Sequence, residues 1–188
     1  MASTADFRTG MTIRLDGELY SIVEFQHVNP GNWRAFVRTK LKSVKSGKVI
    51  ENRFRAGEQV EVIRIDRREY QYLYRDGSSF VFMDKETYDQ ISIEPDLIGE
   101  GGEFVKEGEI AEIVFNGTEP IGVELPIVVE LKVTQTVPGV KGNSATGGSK
   151  PASVESGATV NVPLFINEGD IIRVDTRTGE YIERVKAA

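Results

Sequence analysis

The chain has no cysteine and a single histidine among its 188 residues. The first absence excludes disulfides and every thiolate metal site, and the second leaves no imidazole cluster of the kind most zinc chemistry uses. No run approaches the roughly 18 to 20 apolar residues that a membrane-spanning helix needs, and the opening residues MASTADFRTG lack an apolar signal core. We therefore expect a soluble protein with no membrane partner, no metal and no cofactor, in keeping with a reduced cytoplasm. Carboxylates are plentiful, but no spacing singles out an acid and a base, and no serine or histidine arrangement suggests a nucleophile. Nothing in the sequence argues for an enzyme.

Positive charge is also scarce overall, with 23 Lys and Arg against 29 Asp and Glu for a net charge of −6. Its distribution matters more than its sum. Residues 1 to 65 hold 11 basic and 7 acidic residues, net +4; residues 66 to 128 hold 5 and 15, net −10; residues 129 to 188 hold 7 and 7. Charges screen one another within about 8 Å at physiological salt, so such blocks act almost independently and suggest separate modules. Boundaries near residues 65 and 128 divide the chain into 1–65, 66–128 and 129–188, three pieces that each suit a small β-barrel.

Helical periodicity is nearly absent, and short runs of period two separated by turn residues read as an all-β protein. The run TIRL, then Asp16-Gly17, then ELYSIVEF forms a hairpin signal, because both turn positions tolerate positive φ. AFVRTKLKSV pairs with VIENRF through KSGK, EYQYLY with SFVFMD through Arg75-Asp76-Gly77, and IIRVD with YIERV through TRTGE. Asn116-Gly117-Thr118 reads as a further Asn-Gly turn. One helical turn is expected in DKETYDQI, capped by Asp84. Tyr70, Tyr72 and Tyr74 are expected on one strand face opposite Phe80 and Phe82, as core packing rather than as a stacking platform.

Within VRTKLK, alternation places Arg38, Lys40 and Lys42 on the face opposite Val37, Thr39 and Leu41. Such a basic stripe can replace the counterions of a phosphate backbone, although an edge-protecting solvated strand would look the same. Just upstream, Pro30 and Gly31 make a turn, and Trp33 beside Arg34 offers a stacking surface next to a guanidinium. His27 reads as structural. The Gly- and Ser-rich stretch VPGVKGNSATGGSKP is long for a compact β domain and reads as a functional loop. It is not a phosphate-binding loop, because Gly148 stands where that motif needs lysine.

The segment KPASVESGATVNVPLFINEGD, continued by RVDTRTGEYIERV, strongly resembles the C-terminal barrel of the bacterial elongation factor P family. The resemblance extends upstream through YQYLYRDGSSFVFMDKETYDQ and AFVRTKLKSVKSGKVIENRF, and more distantly the first two domains are similar to initiation factor 5A proteins. It implies an SH3-like (KOW-like) barrel followed by two OB-folds, arranged in an L that mimics transfer RNA. It also implies a non-enzymatic, cytoplasmic, monomeric translation factor. Such a factor binds the ribosome between the P and E sites and stimulates peptide bond formation at consecutive prolines. Its partners would be ribosomal RNA and the peptidyl-tRNA of the P site. On this resemblance Pro30, Gly31, Asn32, Trp33 and Arg34 approach the peptidyl transferase centre, and Arg38, Lys40 and Lys42 follow the acceptor stem or ribosomal RNA. Gly142, Asn143, Ser144, Thr146, Gly147, Gly148 and Lys150 face the small subunit near the E site.

Many members carry a lysine or arginine directly after the tip's Pro-Gly, extended covalently, where this chain has Asn32. Either the loop works unmodified, as we expect, or Arg34 is the modified residue. The competing reading from another class is an OB-fold module that binds single-stranded nucleic acid with no role in proline stalling.

Overall fold

The computed structural model describes residues 1–31, 34–139 and 148–188. Sixteen strands carry nearly all the regular structure among them, in three separate sheets. The first contains β1 (Ala2–Ser3), β2 (Thr12–Leu15), β3 (Glu18–Val28), β4 (Phe36–Ser43), β5 (Val49–Arg55) and β6 (Gln59–Ile63), in the order β1-β6-β2-β3-β4-β5. The turn between β2 and β3 has φ of 50° at Asp16 and 83° at Gly17, the double left-handed geometry that matches strand twist in a two-residue hairpin. It sets Leu15 opposite Glu18 and so fixes every pair beyond. The β4–β5 turn closes through Ser43 N–H on the Lys48 carbonyl at 2.8 Å, with Gly47 at φ 70°.

The inward face of this sheet is apolar by alternation. Val37 and Leu41 of β4 are fully buried with Ile13, Ile22, Phe54 and Val60, and Phe7 closes the cluster edge-on to Phe54 at 5.4 Å. Thr39 falls on the same face, where its hydroxyl donates to the Asn52 carbonyl at 2.9 Å and so stays hydrogen-bonded while buried.

The second sheet contains β7 (Asp66–Asp76), β8 (Ser79–Asp84), β9 (Gln90–Ile93), β10 (Ile110–Asn116) and β11 (Glu119–Glu124), in the order β11-β10-β7-β8-β9. Tyr70, Tyr72, Phe80 and Phe82 are buried, with the Tyr72 ring 5.4 Å from Phe82 and 5.7 Å from Phe80. Tyr74 departs from expectation: a register shift between Tyr72 and Tyr74 turns it outward, and it is 53% exposed. An extra residue in one strand reverses the facing of everything after it.

The helix expected in DKETYDQI does not form. The Asp84 carboxylate takes the N–H groups of Glu86 and Thr87 at 2.7 and 3.2 Å, and the chain then turns back through Tyr88 at φ 66°. An aspartate that satisfies neighbouring N–H groups in a turn competes with helix as readily as it caps one. The one α-helix among the described residues is α1 (Pro95–Ile98), with proline in its first turn, followed by a 3-10 turn over Glu100–Phe104.

The third sheet contains β12 (Val128–Thr136), β13 (Ser149–Val154), β14 (Thr159–Pro163), β15 (Ile171–Asp175) and β16 (Tyr181–Lys186), in the order β14-β13-β12-β15-β16. Strand β12 pairs with β15 over Val128–Lys132 and with β13 over Val133–Thr136, and its pairing with β13 carries a register shift between Val133 and Gln135.

Packing divides the chain into two compact units, Met1–Arg68 with Ile113–Val123, and Glu69–Glu112 with Glu124–Ala188. Within the second unit, Phe104 lies in the same core as Val129, Leu131, Val133, Val160, Ile172 and Val174. Its ring fills the space over Gly179, where a Cβ would sit 3.0 Å from Phe104 Cζ. Two residues on, Lys106 Nζ donates to the Glu130 carbonyl at 2.6 Å and lies 3.6 Å from the Glu155 carboxylate. Among the described residues no helix is long and apolar enough to cross a membrane.

Phe104→Ala opens a cavity and is expected to destabilise the chain by about 3–5 kcal/mol in chemical denaturation, whereas exposed Val137→Ala should change stability by less than about 0.5 kcal/mol. In the β15–β16 turn, hydrogen bonds from the Arg177 side chain hold the Asp175 carboxyl down at about 2. A folded-state value below the unfolded one gives stability that is present above roughly pH 4 and lost as pH falls toward 2. Asp175→Asn should therefore remove part of the acid sensitivity in that window, read from midpoints of thermal unfolding at pH 2, 3, 4 and 7.

Candidate nucleic-acid interface

Antiparallel strands in fixed register place outward side chains in rows across the sheet. Across β3, β4 and β5 the row nearest the tip is Val28, Phe36, Arg55, and the next is Gln26, Arg38, Arg53. The third is Glu24, Lys40, Glu51, and beyond it Lys42 stands opposite Val49. Arg34 precedes β4 and is exposed, as are Arg38, Arg53 and Arg55. The Arg53 guanidinium lies 5.3 Å from the centre of the Phe36 ring, within the range of a cation–π contact.

The expected stripe is therefore present in its alternation, with acids directly opposite Lys40 and none directly opposite Arg38 or Lys42. Lys40 Nζ sits 2.7 Å from Glu24 Oε2, and that hydrogen bond raises the lysine above its ordinary pKa. With Glu51 opposite it in β5, Lys40 stands between two carboxylates that offset its charge locally. Toward the tip the face carries Arg34, Arg38, Arg53 and Arg55, and at its other end Lys42, Lys45 and Lys48 are exposed. Arg53 and Arg55 were missed in the sequence, although the signal was there. The KSGK turn makes paired positions in β4 and β5 sum to 91, as in Arg38↔Arg53 and Lys40↔Glu51.

At the tip itself Gly31 N–H donates to the Asn29 carbonyl at 3.0 Å, and Gly31 adopts φ 31°. Pro30 is half-buried and Gly31 exposed, while Asn32 and Trp33 lie outside the described residues. His27 is exposed and packs edge-on against Phe25, with ring centres 5.9 Å apart.

The second expected site, in the C-terminal sheet, divides in the same way. Gly142, Asn143, Ser144, Thr146 and Gly147 lie outside the described residues, and Gly148 is half-buried at the edge of β13. Lys150 was expected in the loop but belongs to β13, is 4% exposed, and donates through Nζ to the Val137 carbonyl at 2.7 Å. A buried ammonium held this way ties the two stems together, so Lys150 lies inside a strand rather than on the exposed loop where it was expected. Both stems also close on Leu164. A Cβ on Gly139 would meet the Leu164 carbonyl at 2.5 Å, and one on Gly148 would meet Leu164 Cδ1 at 3.3 Å. Among the described residues no group of three or more histidines and carboxylates is placed to hold a metal ion.

The comparisons with known proteins bear on this geometry. Residues 3–60 match the elongation factor P KOW-like domain, 65–123 the elongation factor P OB domain, and 129–184 the elongation factor P C-terminal domain. Elongation factor P of Chloroflexus aurantiacus is 56% identical over 185 residues, covering 97% of this chain and 98% of that protein. The chain belongs to the elongation factor P family. That of Natranaerobius thermophilus is 57% identical over 186 residues, covering 99% of each, and that of Corynebacterium jeikeium 54% over 185. Among solved structures, an initiation factor 5A family protein from Naegleria fowleri superposes with TM-score 0.52 at 13% identity, covering 66% of this chain and 96% of that one, a likeness of fold. The KOW-like and OB assignments agree with the all-β, three-sheet architecture described above.

Replacing Lys150 by methionine keeps the aliphatic volume but leaves the Val137 carbonyl without its donor. We expect a loss of about 1–3 kcal/mol in chemical denaturation, and a smaller loss for Lys150→Arg, which retains a cation at the same place.

Proposed function

We propose that this chain works at the ribosome between the P and E sites, where it contacts peptidyl-tRNA and ribosomal RNA and stimulates peptide bond formation at consecutive prolines. The chain is a translation elongation factor by family, matched over its whole length to proteins of that name. The observation that carries the finer reading is the concentration of arginines on the tip-proximal rows of β3, β4 and β5, next to a Pro-Gly turn and Trp33. A face of this kind binds a phosphate backbone by displacing counterions, while an indole and a guanidinium at the end can stack on unpaired bases.

On this reading Pro30, Gly31, Asn32, Trp33 and Arg34 approach the acceptor end of the peptidyl-tRNA, with Arg38, Arg53 and Arg55 on the stem behind it. The factor adds no chemical group. It lowers the entropy of the reacting ends by holding one of them, and the ribosome carries out the reaction. Asn32 offers neither an amine nor a guanidinium for extension, so the tip acts unmodified. Gly142 to Gly148 face the small subunit near the E site, and Lys150 serves by anchoring that loop's stem. The protein acts as a monomer in the cytoplasm. Its domains are 1–65, 66–128 and 129–188, boundaries supported by the near coincidence of the three family matches.

The test is synthesis through three consecutive prolines in a reconstituted translation system supplied with recombinant, unmodified protein. Rescue is expected; binding without rescue would mean that a modification, with Arg34 the candidate, is required. Arg34→Ala should lower the rate of rescue about tenfold or more, on the scale of one lost charge-assisted hydrogen bond. Arg38→Ala and Arg53→Ala should each reduce the slope of log affinity against log salt by about one, whereas Lys40→Ala should leave it nearly unchanged. Tighter binding to free oligonucleotides than to ribosomes would support the single-strand module instead.

A further inference from the structure

Away from the tip, one side chain is displayed with no role inside the fold. Tyr88 is 71% exposed and sits at φ 66°, a left-handed conformation that residues with a side chain rarely adopt. Only one other residue without a glycine's freedom does so among the described residues, Asp16, and it serves a hairpin turn. The surroundings of Tyr88 impose its conformation. The buried Asp84 carboxylate takes the N–H groups of Glu86 and Thr87, the Tyr88 N–H donates to the Asp84 carbonyl at 2.9 Å, and Asp84 N–H donates to Asp89 at 2.8 Å. Asp89 N–H reaches the Thr87 hydroxyl at 3.3 Å.

The turn by itself does not call for tyrosine. Glycine or asparagine would satisfy the same backbone with less strain. Among the described residues the Tyr88 ring makes no ring contact and its hydroxyl no hydrogen bond, so neither packing nor pairing accounts for it. Strained backbone held rigidly by its neighbours is characteristic of sites that meet a partner, and an exposed tyrosine is among the side chains that anchor interfaces most strongly.

Charge narrows the partner. Lys85, the nearest cation in the sequence, is engaged by Glu69 at 2.8 Å. Glu86 and Asp89 flank Tyr88, both exposed, within a segment of 5 basic and 15 acidic residues between 66 and 128. A phosphate backbone would be repelled here, whereas lysines and arginines would be attracted. We propose that Tyr88, rimmed by Glu86 and Asp89, is a docking knuckle for a basic protein surface of the ribosome. The inference rests on the ribosomal reading given above.

The experiment uses the full chain and purified ribosomes, with affinity measured at several salt concentrations. Tyr88→Gly removes the ring while relieving the backbone, so its melting temperature should hold or rise as ribosome affinity falls about tenfold; Tyr88→Asn is the second variant for the same purpose. The pair Glu86→Gln and Asp89→Asn should weaken binding as well. Replacement of Tyr88 by a photoreactive benzoylphenylalanine should crosslink to a lysine- and arginine-rich ribosomal protein. Wild-type affinity in both Tyr88 variants, or a crosslink to RNA, overturns the proposal and leaves the ribosomal reading in place. Failure of the wild-type protein to bind ribosomes overturns both.

Discussion

Strand register is the constraint on which the rest of this structure depends. In a chain with almost no helix, each residue's facing is set by its parity along a strand, and a slip of one position would exchange core for surface throughout that strand. The register is held by a few turns whose glycines adopt left-handed geometry, among them Gly17, Gly47, Gly77, Gly117 and Gly179 at φ from 62° to 83°. No disulfide contributes, since the chain has no cysteine. Cores as small as Phe7, Ile13, Ile22, Val37, Leu41, Phe54 and Val60 can then be specific, because the turns present the apolar parity of every strand to the same side.

The same register determines how charge is used. On the outer face of β3, β4 and β5 it aligns Arg38 with Arg53 and Arg55 with Phe36, and it places Lys40 between Glu24 and Glu51. Alternation alone would make three equivalent cations of Arg38, Lys40 and Lys42. Cross-strand pairing makes them unequal, because only Lys40 has acids directly opposite it. An exposed pair such as Lys40–Glu24 adds little stability, but it cancels a local charge, and for a surface that meets phosphates the cancellation matters more than the stability.

Shifts in register mark where the regular pattern yields to something else. The shift near Leu73 turns Tyr74 outward, and that between Val133 and Gln135 interrupts the pairing of β12 with β13. Neither is announced by a glycine or proline at the site, so both escape a reading of the sequence by period. The Asp84 turn escaped for a different reason. Aspartate followed by Lys-Glu-Thr suits a helix start and an Asx turn equally, and the choice depends on the strand pairing of β8 with β9 that closes over it. Lys150 was likewise read as a loop residue from its Gly- and Ser-rich neighbours, whereas a carbonyl across the stem holds its ammonium in the interior.

The sequence by itself determined the all-β class, the hairpins at Asp16-Gly17, KSGK and TRTGE, the charge blocks and the family. These depend on local rules: which residues tolerate positive φ, which alternate, and which motifs recur at fixed spacing. The tertiary structure alone decided which cations remain available, that Phe104 belongs to the core of the C-terminal sheet, that Lys150 is interior, and that Tyr88 is held outward in a left-handed turn. Each of these depends on a partner distant in the chain or on a closure made by another strand. Local propensity carries no term for such a neighbour until the chain has folded.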